Sequence, residues 1–104
     1  MLARVLWCVA GVASLAAGPA PEVQVVIENF TFVPQSLVVA AGTRVTWINQ
    51  DDIPHTVFNV ETPAAMHSRP LDTDDRFVLV LDRPGVYHFF CTLHPHMQSE
   101  IRVQ

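Results

Sequence analysis

Phe89-Phe90-Cys91-Thr92-Leu93-His94-Pro95-His96-Met97 decides how this chain is read. The residues leading into it, Gly85 to Cys91, are rich in aromatic and β-branched side chains and predict a strand ending at Cys91. Thr92 to His96 predicts a tight loop, stiffened by Pro95, whose ring fixes φ. Ser99 to Val103 alternates Ile101 and Val103 with polar neighbours, as a returning strand does. A loop this short aims Cys91, His94 and Met97 at one point. A thiol, an imidazole and a thioether are soft or intermediate donors of the kind that suit copper.

A fourth donor lies in Asp51-Asp52-Ile53-Pro54-His55-Thr56-Val57. His55 follows a Pro at the start of an apolar run, where a strand would begin. It stands 36 positions before Cys91, so it reaches the same point only if strands distant in sequence meet in space. A β-sandwich does that. His55, Cys91, His94 and Met97 then supply two imidazoles, one thiolate and one weak axial thioether, a donor set that matches a known class of copper site.

Length and composition set the frame. A chain of 104 residues makes one domain at most. All six basic residues are Arg and none are clustered, which argues against a nucleic-acid partner. Met1 to Gly18 reads as a secretory signal peptide, with Arg4 as its positive start and Val5 to Ala17 as its apolar run. Ser14-Leu15-Ala16-Ala17 supplies small residues for a cut near Ala17. The run is too short to span a bilayer comfortably, so no stable membrane insertion is expected after cleavage. Cys8 lies too early in the run for lipid attachment. The mature domain, residues 19–104, keeps five Arg against ten acidic residues, a formal charge of −5. It also keeps a single cysteine, Cys91. A lone thiol in an oxidising compartment has no intramolecular disulfide partner, and service as a metal ligand resolves that oddity.

From Glu22 onward the pattern is all-β. Val23, Val25 and Ile27 alternate with Glu22, Gln24, Val26 and Glu28, which fits a half-buried strand. Phe30, Phe32 and Pro34 lead into Leu37-Val38-Val39-Ala40, and Asn29-Phe30-Thr31 matches a glycosylation sequon by chance. Ala41-Gly42-Thr43 is a turn, with Gly42 free to take positive φ. Val45, Trp47 and Asn49 share one strand face, and His55 to Val60 predicts the next strand. Glu61 to Asp75 is irregular. Met66-His67 reads as ordinary loop there, and Asp72, Asp74 and Asp75 as a solvated turn, since no bidentate Glu closes a calcium cage. Arg76 to Leu81 resumes a strand, and Asp82-Arg83-Pro84-Gly85 is a β-turn. Seven or eight short strands without an ordinary helix imply a Greek-key β-sandwich. Phe32, Trp47, Phe77, Tyr87 and Phe89 should fill its core. Cys91 shares the parity of Tyr87 and Phe89 and points inward, whereas His88 faces out.

These features resemble the cupredoxins, the plastocyanin and azurin family, and within it the amicyanins most. The resemblance runs from about Val23 to Val103. It rests on Ala41-Gly42-Thr43, Val45-Thr46-Trp47-Ile48-Asn49, Pro54-His55, Pro84-Gly85-Val86-Tyr87 and the Cys91/His94/Met97 loop. The short gap from His94 to Met97 is the amicyanin feature. The resemblance implies a type 1 (blue) copper site with one copper ion held by His55, Cys91, His94 and Met97. It implies a monomeric periplasmic carrier that cycles Cu(I)/Cu(II) between a c-type cytochrome and a dehydrogenase. His94 would be the electron port, in an apolar patch of Leu93, Pro95, Pro54 and Ile53. In the reduced state it would leave the metal and protonate at mildly acidic pH. Thr56 stands where amicyanin has Asn, the usual cross-loop linker. Thr56 and Thr92 directly follow two ligands and are candidates to support them, and Asn49 is a candidate brace. His96 stands where amicyanin has Phe and reads first as a surface replacement, with a docking contact or a second weak copper site shared with His67 as the alternatives, and Ser99 stands where the family usually has Gly.

Three classes of function fit these residues. The first is an electron carrier without substrate chemistry, since there is no paired-carboxylate site, no Ser/His/Asp constellation and no phosphate loop. The second is a copper-handling protein on the same fold. The third is a zinc-stabilised module using Cys91, His94, His55 and, as a fourth candidate, His96. Zinc would leave the protein colourless, and a handling protein would exchange metal without reversible redox cycling.

Overall fold

Alternating apolar residues make the strands, and the computed structural model describes residues 19–104. The leader expected over residues 1–18 lies outside the described residues. The strands are β1 (Glu22–Glu28), β2 (Thr31–Val33), β3 (Ser36–Val39), β4 (Thr43–Asn49), β5 (Phe58–Asn59), β6 (Arg76–Leu81), β7 (Gly85–Phe90) and β8 (Gln98–Val103). One sheet has the order β2-β1-β4-β6 and the other β3-β8-β7-β5. Two neighbouring pairs are parallel, β1 with β4 and β3 with β8, so the chain crosses between sheets rather than meandering within one. No helix lies among the described residues.

The two inner faces meet over Val25, Ile27, Val45, Trp47, Phe89, Cys91, Ile101 and Val103, all buried. Val25 sits opposite Trp47 and Ile27 opposite Asn49, so the parallel register stacks the apolar faces of β1 and β4. Trp47 packs on Phe89 from the other sheet with ring centroids 5.0 Å apart. Phe32 joins this core, but Phe77 and Tyr87 are only half-buried against it. The Tyr87 hydroxyl donates to the Arg83 carbonyl at 2.7 Å, which holds the ring's polar tip at the turn before β7.

The expected strand from His55 to Val60 shrinks to Phe58 and Asn59, with His55 in an isolated bridge to Leu71. The reason lies in the backbone donors. Thr56 N–H donates to the Cys91 sulfur at 3.3 Å and Val57 N–H to the Ser68 hydroxyl at 2.9 Å. Donors spent on side chains cannot build a ladder.

His88 faces out, as its parity requires. Its Nδ1 lies 2.6 Å from one Glu61 oxygen and its Nε2 3.4 Å from Glu100, while its backbone N–H donates to the other Glu61 oxygen at 2.9 Å. The hydrogen bond to Glu61 raises the imidazole pKa above its usual 6.5. Burial pushes the Glu61 carboxyl up, but hydrogen bonds from the His88 backbone, the His88 ring and Asn59 outweigh it and hold the carboxyl below 4.5. The stabilisation from this pair is therefore complete between about pH 4.5 and 6.5. It fades as pH rises through the raised imidazole pKa, and as pH falls through the depressed carboxyl pKa. In an NMR titration the His88 midpoint should lie above 6.5 and drop toward that value in Glu61→Gln; an unmoved midpoint would show that Glu61 is not the cause.

Candidate metal centre

Antiparallel β7 and β8 are joined by Cys91 to Met97, with Phe90 opposite Gln98 at the neck. The loop closes on itself, as Cys91 N–H donates to the Met97 carbonyl at 3.2 Å and Met97 N–H to the His94 carbonyl at 2.9 Å. Cys91 and Met97 are buried in the apolar core, and His94 is half-buried. His55 arrives from the loop after β4 and is fully buried. Its backbone exchanges hydrogen bonds with Leu71 at 3.1 and 2.7 Å.

Three donor atoms gather at this end of the sandwich. The Cys91 Sγ lies 3.8 Å from the His55 Nδ1 and 3.8 Å from the His94 Nδ1, and all three atoms fall within 4.8 Å of one another. These separations are long for hydrogen bonds. They suit donors that would face a common ion rather than one another. Cys91 is a free thiol. No other group of three His, Cys, Asp or Glu donors meets this test among the described residues.

The supporting groups explain how the donors are held. Asp51 Oδ2 lies 2.7 Å from His55 Nε2. The same carboxylate accepts the Asn29 N–H at 2.6 Å and the Phe30 N–H at 3.0 Å. Burial pushes the Asp51 carboxyl up, but the Phe30 and Asn29 amides and the His55 imidazole outweigh it and hold its pKa below 3.8. An ionised carboxylate only accepts, so Nε2 carries a proton toward Asp51, and Nδ1 is the ring nitrogen that faces the sulfur. Asn49 is buried and braces this loop, with its amide donating to the Ile53 and Leu71 carbonyls at 2.9 and 2.8 Å and its oxygen accepting Asp51 N–H at 2.9 Å.

Thr56 performs the cross-loop link in place of Asn. Its hydroxyl accepts the Thr92 N–H at 2.8 Å and lies 2.8 Å from the Thr92 hydroxyl. Both residues thereby tie the His55 loop to the Cys91 loop, and the Thr56 amide also donates to the sulfur.

Sequence reading missed Asp51 and Phe30. Asp51 stands four residues before His55, which is a usable signal for a carboxylate partner. Phe30 has none: its ring lies 5.3 Å from His55 and 4.9 Å from His94 because β1 pairs with β4. His67 stacks on Phe58 at 5.1 Å with its Nδ1 near the Pro63 carbonyl, and His96 is exposed, 6.4 Å from His94 between ring centroids. Neither joins the donor group. Ser99 lies in β8 opposite Phe89, and its hydroxyl is buried with no hydrogen-bond partner among the described residues.

Comparisons with known proteins agree with the geometry. The chain is 29% identical over 103 residues to amicyanin-alpha of Methylorubrum extorquens, covering 88% of this chain and 87% of that one. It is 28% identical over 89 residues to amicyanin of Paracoccus versutus, covering 83% and 67%. Among solved structures, an oxidised amicyanin variant superposes with a TM-score of 0.75 at 28% identity, covering 86% of this chain and 88% of that one. A purple cupredoxin from Nitrosopumilus maritimus gives a TM-score of 0.71 at 31% identity, covering 78% and 98%. Copper is the metal this donor set fits. With residues 1–103 matching the family model described as a cupredoxin-like domain, the chain belongs to the cupredoxin family.

Proposed function

We propose that this protein carries single electrons between periplasmic redox proteins, with one copper ion held by His55, Cys91, His94 and Met97. The observation that carries the reading is the convergence of one buried sulfur and two imidazole Nδ1 atoms within 4.8 Å at one end of the fold. Bound there, copper would supply a one-electron couple. The chain's part is to keep the donors still. Asp51 fixes the tautomer and angle of His55, and Thr56 and Thr92 lock the two loops together. Thr56 N–H points at the sulfur, and a hydrogen bond to a ligand sulfur tunes the potential. Held in this way, the side chains have little to rearrange between charge states.

His94 is the route out. It is half-buried beside Leu93, which is 51% exposed, and Phe30, which is 39% exposed. An apolar rim around a partly exposed ligand suits brief contact with a partner, and a shuttling monomer needs only a small interface. A c-type cytochrome, and a dehydrogenase as donor, follow by analogy with the amicyanins. The leader-like start of the sequence supports a periplasmic site of action.

Purified mature protein loaded with Cu(II) should be coloured, with the visible and EPR spectra of a thiolate-bound copper. Mixed with a reduced c-type cytochrome, it should take one electron per copper reversibly. Metal that exchanges freely without such cycling would favour copper handling, and a site that holds only zinc would exclude both. Met97→Gln should keep copper and lower the reduction potential measured by voltammetry, since an amide oxygen is a harder donor than a thioether. An unchanged potential would remove Met97 from the ligand set.

A further inference from the structure

Phe30 adopts a backbone conformation its side chain disfavours, and its ring lies against both imidazoles. Asn29 and Phe30 alone join β1 to β2, with Glu28 paired to Thr31 across the turn. Both residues have positive φ, 54° and 59°. Two such residues in a hairpin make a type I′ turn, in which Asn suits the first position and Gly the second. Asn29 obeys that preference. Phe30 does not, and a bulky side chain in the left-handed region is an outlier. Burial does not explain it, since Phe30 is 39% exposed.

What the conformation achieves is placement. The ring stands edge-on to His55 at 86° and to His94 at 84°. It also walls a small cavity of about 110 Å³ shared with Met97 and His96. The turn is held by Asp51, whose carboxylate accepts both turn N–H groups as well as the His55 Nε2–H. One carboxylate thus sets the ring and the ligand it touches.

We propose that Phe30 is a positioning residue for the two imidazoles, kept in a strained turn because its ring confines His55 and His94. This rests on the copper reading above. A glycine there relaxes the turn and removes the ring, so folding and metal retention should move in opposite directions.

The test compares wild type, Phe30→Gly and Phe30→Tyr. The metal-free Gly variant should melt at or above the wild-type temperature, because Gly takes positive φ freely. Its Cu(II) form should release metal to a chelator about tenfold faster, the scale seen when a group supporting a ligand is lost. Its EPR and visible bands should shift, and Tyr should restore both. Wild-type release rates and spectra in the Gly variant would overturn the proposal. So would a metal-free Gly variant whose melting temperature falls as far as that of the loaded form, which marks an ordinary packing residue. A wild-type protein that shows no thiolate–copper spectrum at all would instead sink the copper reading, and this proposal with it.

Discussion

Cys91→Ser should yield a folded protein that no longer shows the intense visible absorption of the copper-loaded wild type. A serine hydroxyl stays protonated at neutral pH and is a hard donor, so it replaces neither the charge nor the softness of a thiolate. The two imidazoles would remain in place, because Asp51 and the Leu71 bridge hold His55, and the loop's own hydrogen bonds hold His94. The variant should therefore still take up some Cu(II), but with an EPR signature of nitrogen and oxygen donors. The position is fully buried. Thr56 N–H, 3.3 Å from the sulfur, can donate to the new hydroxyl and offset part of its burial, so the stability loss should stay near the lower end of about 1–3 kcal/mol. Denaturant unfolding of the metal-free form measures that loss. A Ser variant that keeps the wild-type spectrum would rule out sulfur ligation by Cys91.

Asp51→Ala should weaken both folding and metal binding. Its carboxylate collects two backbone N–H groups from the β1–β2 turn and the ring N–H of a fully buried histidine. Hydrogen bonds to a charged group contribute roughly 1.5–3 kcal/mol each, but the turn amides can turn to water, so a total near 3 kcal/mol is expected. The His55 Nε2–H has no such recourse. Once unpinned, the ring loses its fixed tautomer, and copper affinity should fall about 10- to 100-fold. Urea unfolding of the metal-free protein and chelator competition on the loaded one read the two effects separately. Asp51→Asn keeps one acceptor oxygen and should fall between. Unaltered copper affinity in the Ala variant would mean that His55 is held by its backbone alone.

The gap between what the residues disclose and what the fold adds follows sequence distance. Cys91 and His94 are three positions apart in a loop bounded by two strands, so local spacing sufficed to bring their donors together. His55 was legible because Pro54-His55 opens an apolar run and a sandwich must bring such a run back to Cys91. The alternation in β1, β4, β6 and β8 reported its buried faces directly. The segment after His55 misled because Thr56, Val57 and Phe58 have strand chemistry. Two of their three backbone donors are diverted to Cys91 and Ser68 by tertiary neighbours that periodicity cannot see. Asp51 and Phe30 were missed for the related reason that the β1–β2 turn meets the His55 loop only through the parallel register of Ile27 with Asn49. Parity put Tyr87 and Phe77 on the right face but could not say that both lie at the edge of the core.

β4 runs from Thr43 toward the His55 loop, and β1 lies parallel to it, so Glu22 starts at the far pole. β8 leaves the ligand loop at Gln98 and carries the chain roughly 20 Å away, at about 3.3 Å per residue, to Gln104, which is tied to Val39 and Ala41. A tether grafted at Gln104, whether to an electrode, a bead or a second domain, would present the His94 end outward on every copy. Uniform orientation of an immobilised layer would come from strand direction alone, with no engineered surface residue.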